Sequence, residues 1–146
     1  PVIDALVRMK LDLVGLGHAL DLLPSELSGG MRKRAALARA IALDPELLCC
    51  DEPSAGLDPL SAAALDHLLL KLKNNFEMTL IVVTHELESI RMIADNVVML
   101  DKGRVIAFGP LAEVERSEHP FIRNFFERRV DEEGRYPTAL SYLGEG

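Results

Sequence analysis

Apolar residues recur at helical spacing from Asp4 to Val14, and Gly15 and Gly17 follow where such a helix would end. His18 to Glu26 keeps no period and contains Pro24, which predicts a loop. Ser28 and two glycines come next, and Met31, Ala35, Leu37, Ala38, Ile41 and Ala42 predict a long Ala-rich helix, capped by Ser28 and ending before Pro45. Leu47 to Cys50 is a short continuous apolar run, as expected of a strand buried on both faces of a parallel sheet. Asp58 followed by Pro59 is a helix start and opens a helix to about Asn74. Thr79 to Val83 predicts a second buried strand and Glu86 to Ala94 a helix. Asn96 to Asp101 with Arg104 to Phe108 predicts a hairpin across Lys102–Gly103. Pro110 to Arg116 and His119 to Arg129 predict two more helices, and the weakly patterned residues beyond Val130 predict a loose tail. Alternating strands and helices followed by a hairpin predict an α/β fold: a mostly parallel sheet with flanking helices and an antiparallel C-terminal hairpin.

Composition narrows this picture. The chain has 146 residues, of which 49% are apolar, enough for one domain with a real core. It begins at Pro1 with a helix already under way, so a natural start is not expected there. A net charge of −7 argues against a nucleic-acid surface, which needs clustered Lys and Arg. The basic cluster Arg32, Lys33 and Arg34 falls within a helix and is expected to be a solvated face. Cys49 and Cys50 are adjacent inside an apolar run and are expected to be small buried hydrophobes, not a disulfide or metal site. No apolar run approaches the roughly 20 residues of a membrane-spanning helix. Any membrane link is therefore expected to come through a partner.

Three places carry candidate chemistry. Ser28, Gly29 and Gly30 stand where a helix begins, so backbone N–H groups and the helix dipole converge on a point suited to an anion. An ordinary Ser cap with a glycine turn is the plain alternative for this triplet. Asp51 and Glu52 follow the first apolar strand directly, which places both carboxylates at a strand's carboxyl end, where open α/β sheets bind ligands. His85 follows the second strand in Thr84-His85-Glu86; taken alone, it would be a surface or capping residue. His18, His67 and His119 have no comparable context. Gly56 gives the segment Ser54 to Asp58 the freedom of a tight turn, and Asp58 is placed to cap the next helix. Phe121, Ile122, Phe125 and Phe126 form an apolar stripe at helical spacing, expected to dock on the protein's own core rather than anchor in a membrane, since the helix is short, with a partner's groove as the alternative.

In order and spacing, LSGGM at Leu27 to Met31, the strand ending in Asp51–Glu52, SAGLDP at Ser54 to Pro59, and His85 together resemble the ATP-binding-cassette (ABC) ATPases. The likeness runs from about Leu11 to Phe126. The runs LSGGMRKRAALARAIALDPELL, SAGLDPLSAAALDHLL and THELESIRMIADNVVML, with the ending HPFIRNFFERR, look like the ATPases of Mla-type bacterial phospholipid transporters, a group also linked with toluene tolerance.

The resemblance implies a partial P-loop NTPase core and a set of roles. Asp51 would be the Walker B aspartate that holds Mg²⁺ through water, and Glu52 would orient or deprotonate the attacking water. His85 would be the H-loop switch at the γ-phosphate. Ser28, Gly29 and Gly30 would act in trans on ATP held by a second ABC ATPase subunit in a head-to-tail dimer, with Asp58 in the D-loop that couples the two sites. The implied cofactors are ATP and Mg²⁺, and the implied partners are the second ATPase subunit and transmembrane permease subunits, without nucleic acid. The location would be cytoplasmic, against the inner face of a bacterial plasma membrane. The implied division is 1–26 for the end of the helical subdomain and a linker, 27–116 for the signature helix with the Walker B, D-loop and H-loop part of the core, and 117–146 for a C-terminal helix and tail.

One departure matters. The A-loop, the GxxxxGK[ST] phosphate loop and the Q-loop, which precede the signature in this family, are missing from the sequence. The expectation is a C-terminal fragment of a transporter ATPase that neither binds ATP tightly nor turns it over alone. The alternative is a non-catalytic module lending its signature face to a complete ATPase, against which intact Glu52 and His85 argue. A soluble ABC ATPase of DNA repair or translation is disfavoured by net acidity and by the lack of a long heptad segment.

Overall fold

A computed structural model of the chain describes residues 2–129. The expected loose tail beyond Val130 lies outside the described residues. The chain divides into two compact units, one through Ile93 and one from Ala94 onward.

In the first unit, helix α1 spans Val2–Leu13 and stops at Gly15, whose φ of 73° is the left-handed geometry that ends helices. Short 3₁₀ turns at Gly17–Ala19 and Pro24–Glu26 fill the predicted loop. Helix α2 spans Gly29–Ala40, and strand β1, Leu47–Asp51, follows it. Helix α3 runs from Pro59 to Phe76, two residues past the predicted end, and closes with Glu77 in the left-handed region. Strand β2 is Thr79–Val83 and helix α4 is Leu87–Ile93. The strands β1 and β2 pair in parallel, from Leu47 opposite Thr79 to Asp51 opposite Val83.

Val14, Leu16, Leu37, Ile41, Leu48, Leu65, Leu69, Leu72 and Met78 form the core of this unit. Full burial of one such side chain contributes about 1.5–3 kcal/mol. The core touches one face of the two-stranded sheet only. Leu48 is buried, whereas Leu47 and Ile81 are 50% exposed and Val83 is 58% exposed. The expectation of strands buried on both faces is thus corrected: side chains alternate across a strand, and in the described residues the helices cover one side. The cysteines follow the same rule. Cys49 is exposed and Cys50 half-buried, so neither is the fully buried small hydrophobe expected from the apolar run.

In the second unit, strands β3 (Asn96–Asp101) and β4 (Arg104–Pro110) form the antiparallel hairpin, with β4 running two residues past the predicted Phe108. Register slips between Met99 and Leu100, a bulge that leaves Ile106 as the extra residue on β4. Helices α5 (Leu111–Val114) and α6 (Pro120–Glu127) complete the unit. Ile122 and Phe126 of the apolar stripe are buried, and Phe125 meets Phe126 edge-on at 5.4 Å between ring centres.

Candidate functional site

Parallel pairing explains why acids from one strand and a histidine from another come together. Both strands of a parallel pair end on the same side. Asp51 pairs with Val83, so Glu52 and the Thr84-His85 segment leave the sheet side by side, and the Glu52 amide donates to the Val83 carbonyl at 2.8 Å. At this edge Glu52 Oε1 lies 2.7 Å from His85 Nδ1, and Thr84 Oγ1 lies 3.5 Å from Glu52 Oε2. Glu52 and His85 are therefore brought together as a pair. Their hydrogen bond is the largest cause lifting the His85 imidazole above its ordinary pKa, with the charges of Glu52 and Glu86 adding and slight burial opposing.

Glu52 holds this position in a strained backbone, with φ at 44°. A left-handed conformation costs a non-glycine residue about 1–3 kcal/mol and persists where its surroundings over-determine it. Here Lys33 Nζ donates to the Glu52 carbonyl at 3.2 Å, and the Ala55 amide donates to the same oxygen at 3.2 Å. Lys33 is thus part-buried, contrary to the reading of the Arg32–Arg34 cluster as a solvated face, whereas Arg32 is exposed as expected and turns its Nη1 back to the Leu27 carbonyl. The sequence did hint at Lys33, since it lies one turn beyond the glycines on the same helix. Nothing in residue spacing marked the strained Glu52 or the Thr84 contact.

Asp51 ends β1 with an exposed side chain. Among the described residues, no three His, Cys, Asp or Glu side chains group to hold a metal ion. A single exposed carboxylate at a strand's end, as at Asp51, fits Mg²⁺, which keeps several waters and is commonly bound by one or two carboxylates together with substrate phosphates. Caged metals demand more protein ligands.

Ser28 caps α2: its Oγ accepts from the Met31 amide at 3.2 Å. Accepting there leaves the hydroxyl hydrogen free to point outward. The first N–H groups of a helix have no intrahelical partner, so the Gly29 and Gly30 amides are donors to whatever approaches. A Cβ on Gly30 would meet nothing within 4 Å, so its backbone is open to close approach. Gly29 faces Leu57 of the loop before α3. Among the described residues, no hydrogen bond or ion pair joins Ser28 to Asp51, Glu52 or His85.

Asp58 caps α3, its Oδ1 accepting from the amides of Leu60 at 3.1 Å and Ser61 at 3.0 Å. The hydrogen bonds to Ser61 hold its carboxyl below the usual aspartate range. Gly56, with φ at 77°, makes the turn that precedes it. Ser54, at the start of this loop, is buried, and its hydroxyl oxygen has no hydrogen-bond partner among the described residues. No helix among the described residues is long and apolar enough to cross a membrane.

The chain is similar to known proteins. A sequence model of the family described as "ABC transporter" matches residues 4–55. The chain is 43% identical over 124 residues to the "Probable ribonucleotide transport ATP-binding protein mkl" of Mycobacterium leprae (strain TN), covering 85% of this chain and 36% of that protein. It is 40% identical over 131 residues to the "Intermembrane phospholipid transport system ATP-binding protein MlaF" of Escherichia coli (strain K12), covering 90% of this chain and 49% of MlaF. The chain thus spans about a third to a half of the length of these relatives. Among solved structures, cbiO1 from Clostridium perfringens, part of the ABC transporter complex cbiONQ, superposes with a TM-score of 0.73 at 32% identity, over 84% of this chain and 49% of that one.

Proposed function

Because this chain belongs to the family of ABC transporter ATP-binding proteins, we propose that it forms the signature, Walker B and H-loop portion of a subunit that hydrolyses MgATP to drive a membrane transporter. The observation that carries this reading is the contact between Glu52 and His85 at the carboxyl ends of two parallel strands. A merely structural module has no physical need of an acid held in a strained conformation against a histidine.

When bound, MgATP supplies the phosphoryl bond to be broken and a cation that offsets charge developing on the phosphates. Asp51 would hold that cation. Glu52, turned toward the site by His85 and Thr84, accepts the proton of the attacking water. His85, raised toward its charged form, holds Glu52 and is placed to answer to a phosphate. Ser28, Gly29 and Gly30 form a donor group, which suits action on the ATP of a second subunit in a head-to-tail dimer. Asp58 anchors the loop between the groups. In this division residues 1–26 end the helical subdomain, 27–116 carry the signature and hydrolytic elements, and 117–146 form the C-terminal extension.

Likeness to a phospholipid-transport protein supports a lipid or other hydrophobic cargo, handled through permease subunits at the inner face of a bacterial plasma membrane. Net acidity supports the absence of a nucleic-acid partner. No GxxxxGK[ST] loop occurs in the 146 residues, and by themselves they neither hold ATP tightly nor turn it over. The test is Mg²⁺-dependent ATP hydrolysis. The purified chain is expected to show none. In a full-length protein containing the segment, Glu52→Gln is expected to abolish turnover while ATP-bound dimers still assemble; unchanged turnover would remove Glu52 from its role.

A further inference from the structure

We propose that a buried hydrogen bond between Asp66 and Ser89 is a positioning clasp, fixing helix α4 in one register against α3 and so setting His85 against Glu52, a role that rests on reading those two residues as the hydrolytic pair. Asp66 is 2% exposed and Ser89 4% exposed, and neither belongs to the site described above. Ser89 Oγ donates to Asp66 Oδ2 at 2.6 Å, while Asp66 Oδ1 is buried with no hydrogen-bond partner among the described residues. An acid in such a place works against stability. Burial pushes its carboxyl above the usual aspartate range, with Glu86 adding and the Ser89 bond and His67 opposing. Apolar residues of similar volume commonly replace buried polar pairs without loss, so what such a pair adds is direction.

This hydrogen bond gives the contact between α3 and α4 a direction. The neighbouring buried residues are Leu65 and Leu69 on α3 and Leu87 and Ile90 on α4, whose packing is non-directional. A single short hydrogen bond selects one sliding position among those such surfaces allow. From Ser89 the path to the site is one helical turn. The Ile90 amide donates to the Glu86 carbonyl at 3.0 Å, the Glu86 amide donates to Thr84 Oγ1 at 3.1 Å, and Thr84 Oγ1 also reaches Glu52. The His85 side chain is 72% exposed and among the described residues is held by its bond to Glu52, so its place is set by the backbone that α4 anchors. At the other end, Asp66 sits two turns into the helix that Asp58 caps. The clasp therefore ties the helix after the Gly56–Asp58 turn to the helix after His85.

The test is the titration of the His85 ring, followed by NMR in the whole 146-residue chain without nucleotide. Ser89→Ala removes no charge, so a change in that variant reports position rather than a lost field. Ser89→Ala and Asp66→Leu are expected to lower the His85 midpoint by roughly half a unit or more, toward that of an unpartnered imidazole. Asp66→Asn keeps an oxygen acceptor for Ser89 and is expected to stay within about 0.2 unit of the parent. If Asp66→Leu fails to fold, Ser89→Ala decides alone. An unchanged midpoint in Ser89→Ala, with a dispersed amide spectrum, overturns the clasp. Loss of the midpoint shift in Asp66→Asn as well as Asp66→Leu overturns it too, because the acceptor oxygen is then irrelevant. The measurement uses no ATP. A failure of Glu52→Gln to alter ATP turnover would sink the hydrolytic reading while leaving the clasp result standing.

Discussion

Glu52 Oε1 and His85 Nδ1 lie 2.7 Å apart although 33 positions separate the residues in the chain. The hydrogen bond favours the protonated imidazole, so the folded-state pKa of His85 stands above its unfolded value of about 6.5. The stabilisation from this pair is therefore fully present below that unfolded value and is lost as pH rises through the raised folded one. Glu52→Gln removes the charge and leaves a weaker acceptor. The His85 midpoint, read by NMR in the nucleotide-free chain, is expected to fall toward the ordinary histidine value; an unmoved midpoint would show that the pair does not form in solution.

Glu77 shares the strain of Glu52 without its contacts. Its φ is 51°, it closes α3, and its amide donates to the Lys73 carbonyl, with the Met78 amide reaching the same oxygen at 3.2 Å. Glycine is the residue that such a helix-ending position favours, because it has no Cβ to clash. Glu77→Gly is expected to stabilise the chain by about 0.5–1 kcal/mol in urea denaturation, the relief of strain exceeding the added unfolded-state entropy. No gain would mean that the Glu77 side chain contributes a contact of equal size.

These two glutamates mark what could be read from the sequence. The helices, the strands, the hairpin and the order of Ser28, Asp51, Glu52 and His85 were legible because each rests on local signals: a cap, a period of apolar residues, an acid pair after an apolar run. The pairing of Glu52 with His85 was not read from the sequence; it comes from the parallel register of the two strands. Backbone strain at Glu52 was not legible, since nothing in a side chain announces a positive φ at a residue other than glycine or asparagine. The same holds for Lys33, whose reach to the Glu52 carbonyl depends on how α2 lies against β1, and for Asp66, which reads as one polar residue on an amphipathic helix. Cys49 was misread because an apolar run alone does not reveal how many faces of a strand are covered.

Asp58 Oδ1 accepts from both the Leu60 and the Ser61 amides at the start of α3. Its folded pKa is depressed, chiefly by the hydrogen bonds to Ser61, so its contribution is present above the unfolded aspartate value and is lost as pH falls through the depressed one. Asp58→Ala is expected to lower the thermal midpoint at neutral pH, and Asp58→Asn to lower it less, since asparagine caps nearly as well. Below the depressed pKa the parent and Asp58→Asn should converge. A constant gap between them from neutral to acid pH would assign the effect to something other than the charged cap.

The turn at Lys102 and Gly103 offers the sharpest test of the second unit. Both residues have positive φ, 47° and 71°, which is the pattern of a type I′ turn, whose twist matches that of the paired strands. Gly103 takes this conformation freely, and a Cβ there would meet nothing within 4 Å, so any cost of substitution is conformational rather than steric crowding. Gly103→Val places a β-branched residue in the left-handed region and is expected to destabilise the hairpin by about 1–3 kcal/mol. Lys102 bears the same strain with a long side chain. Asn is the favoured residue at this first turn position, and Lys102→Asn is expected to stabilise the hairpin by a few tenths to about 1 kcal/mol. Amide hydrogen exchange of β3 and β4 reads both changes locally: faster exchange for Gly103→Val and slower for Lys102→Asn. Opposite signs for the two substitutions distinguish backbone geometry from general disturbance of the turn, since disturbance alone would speed exchange in both.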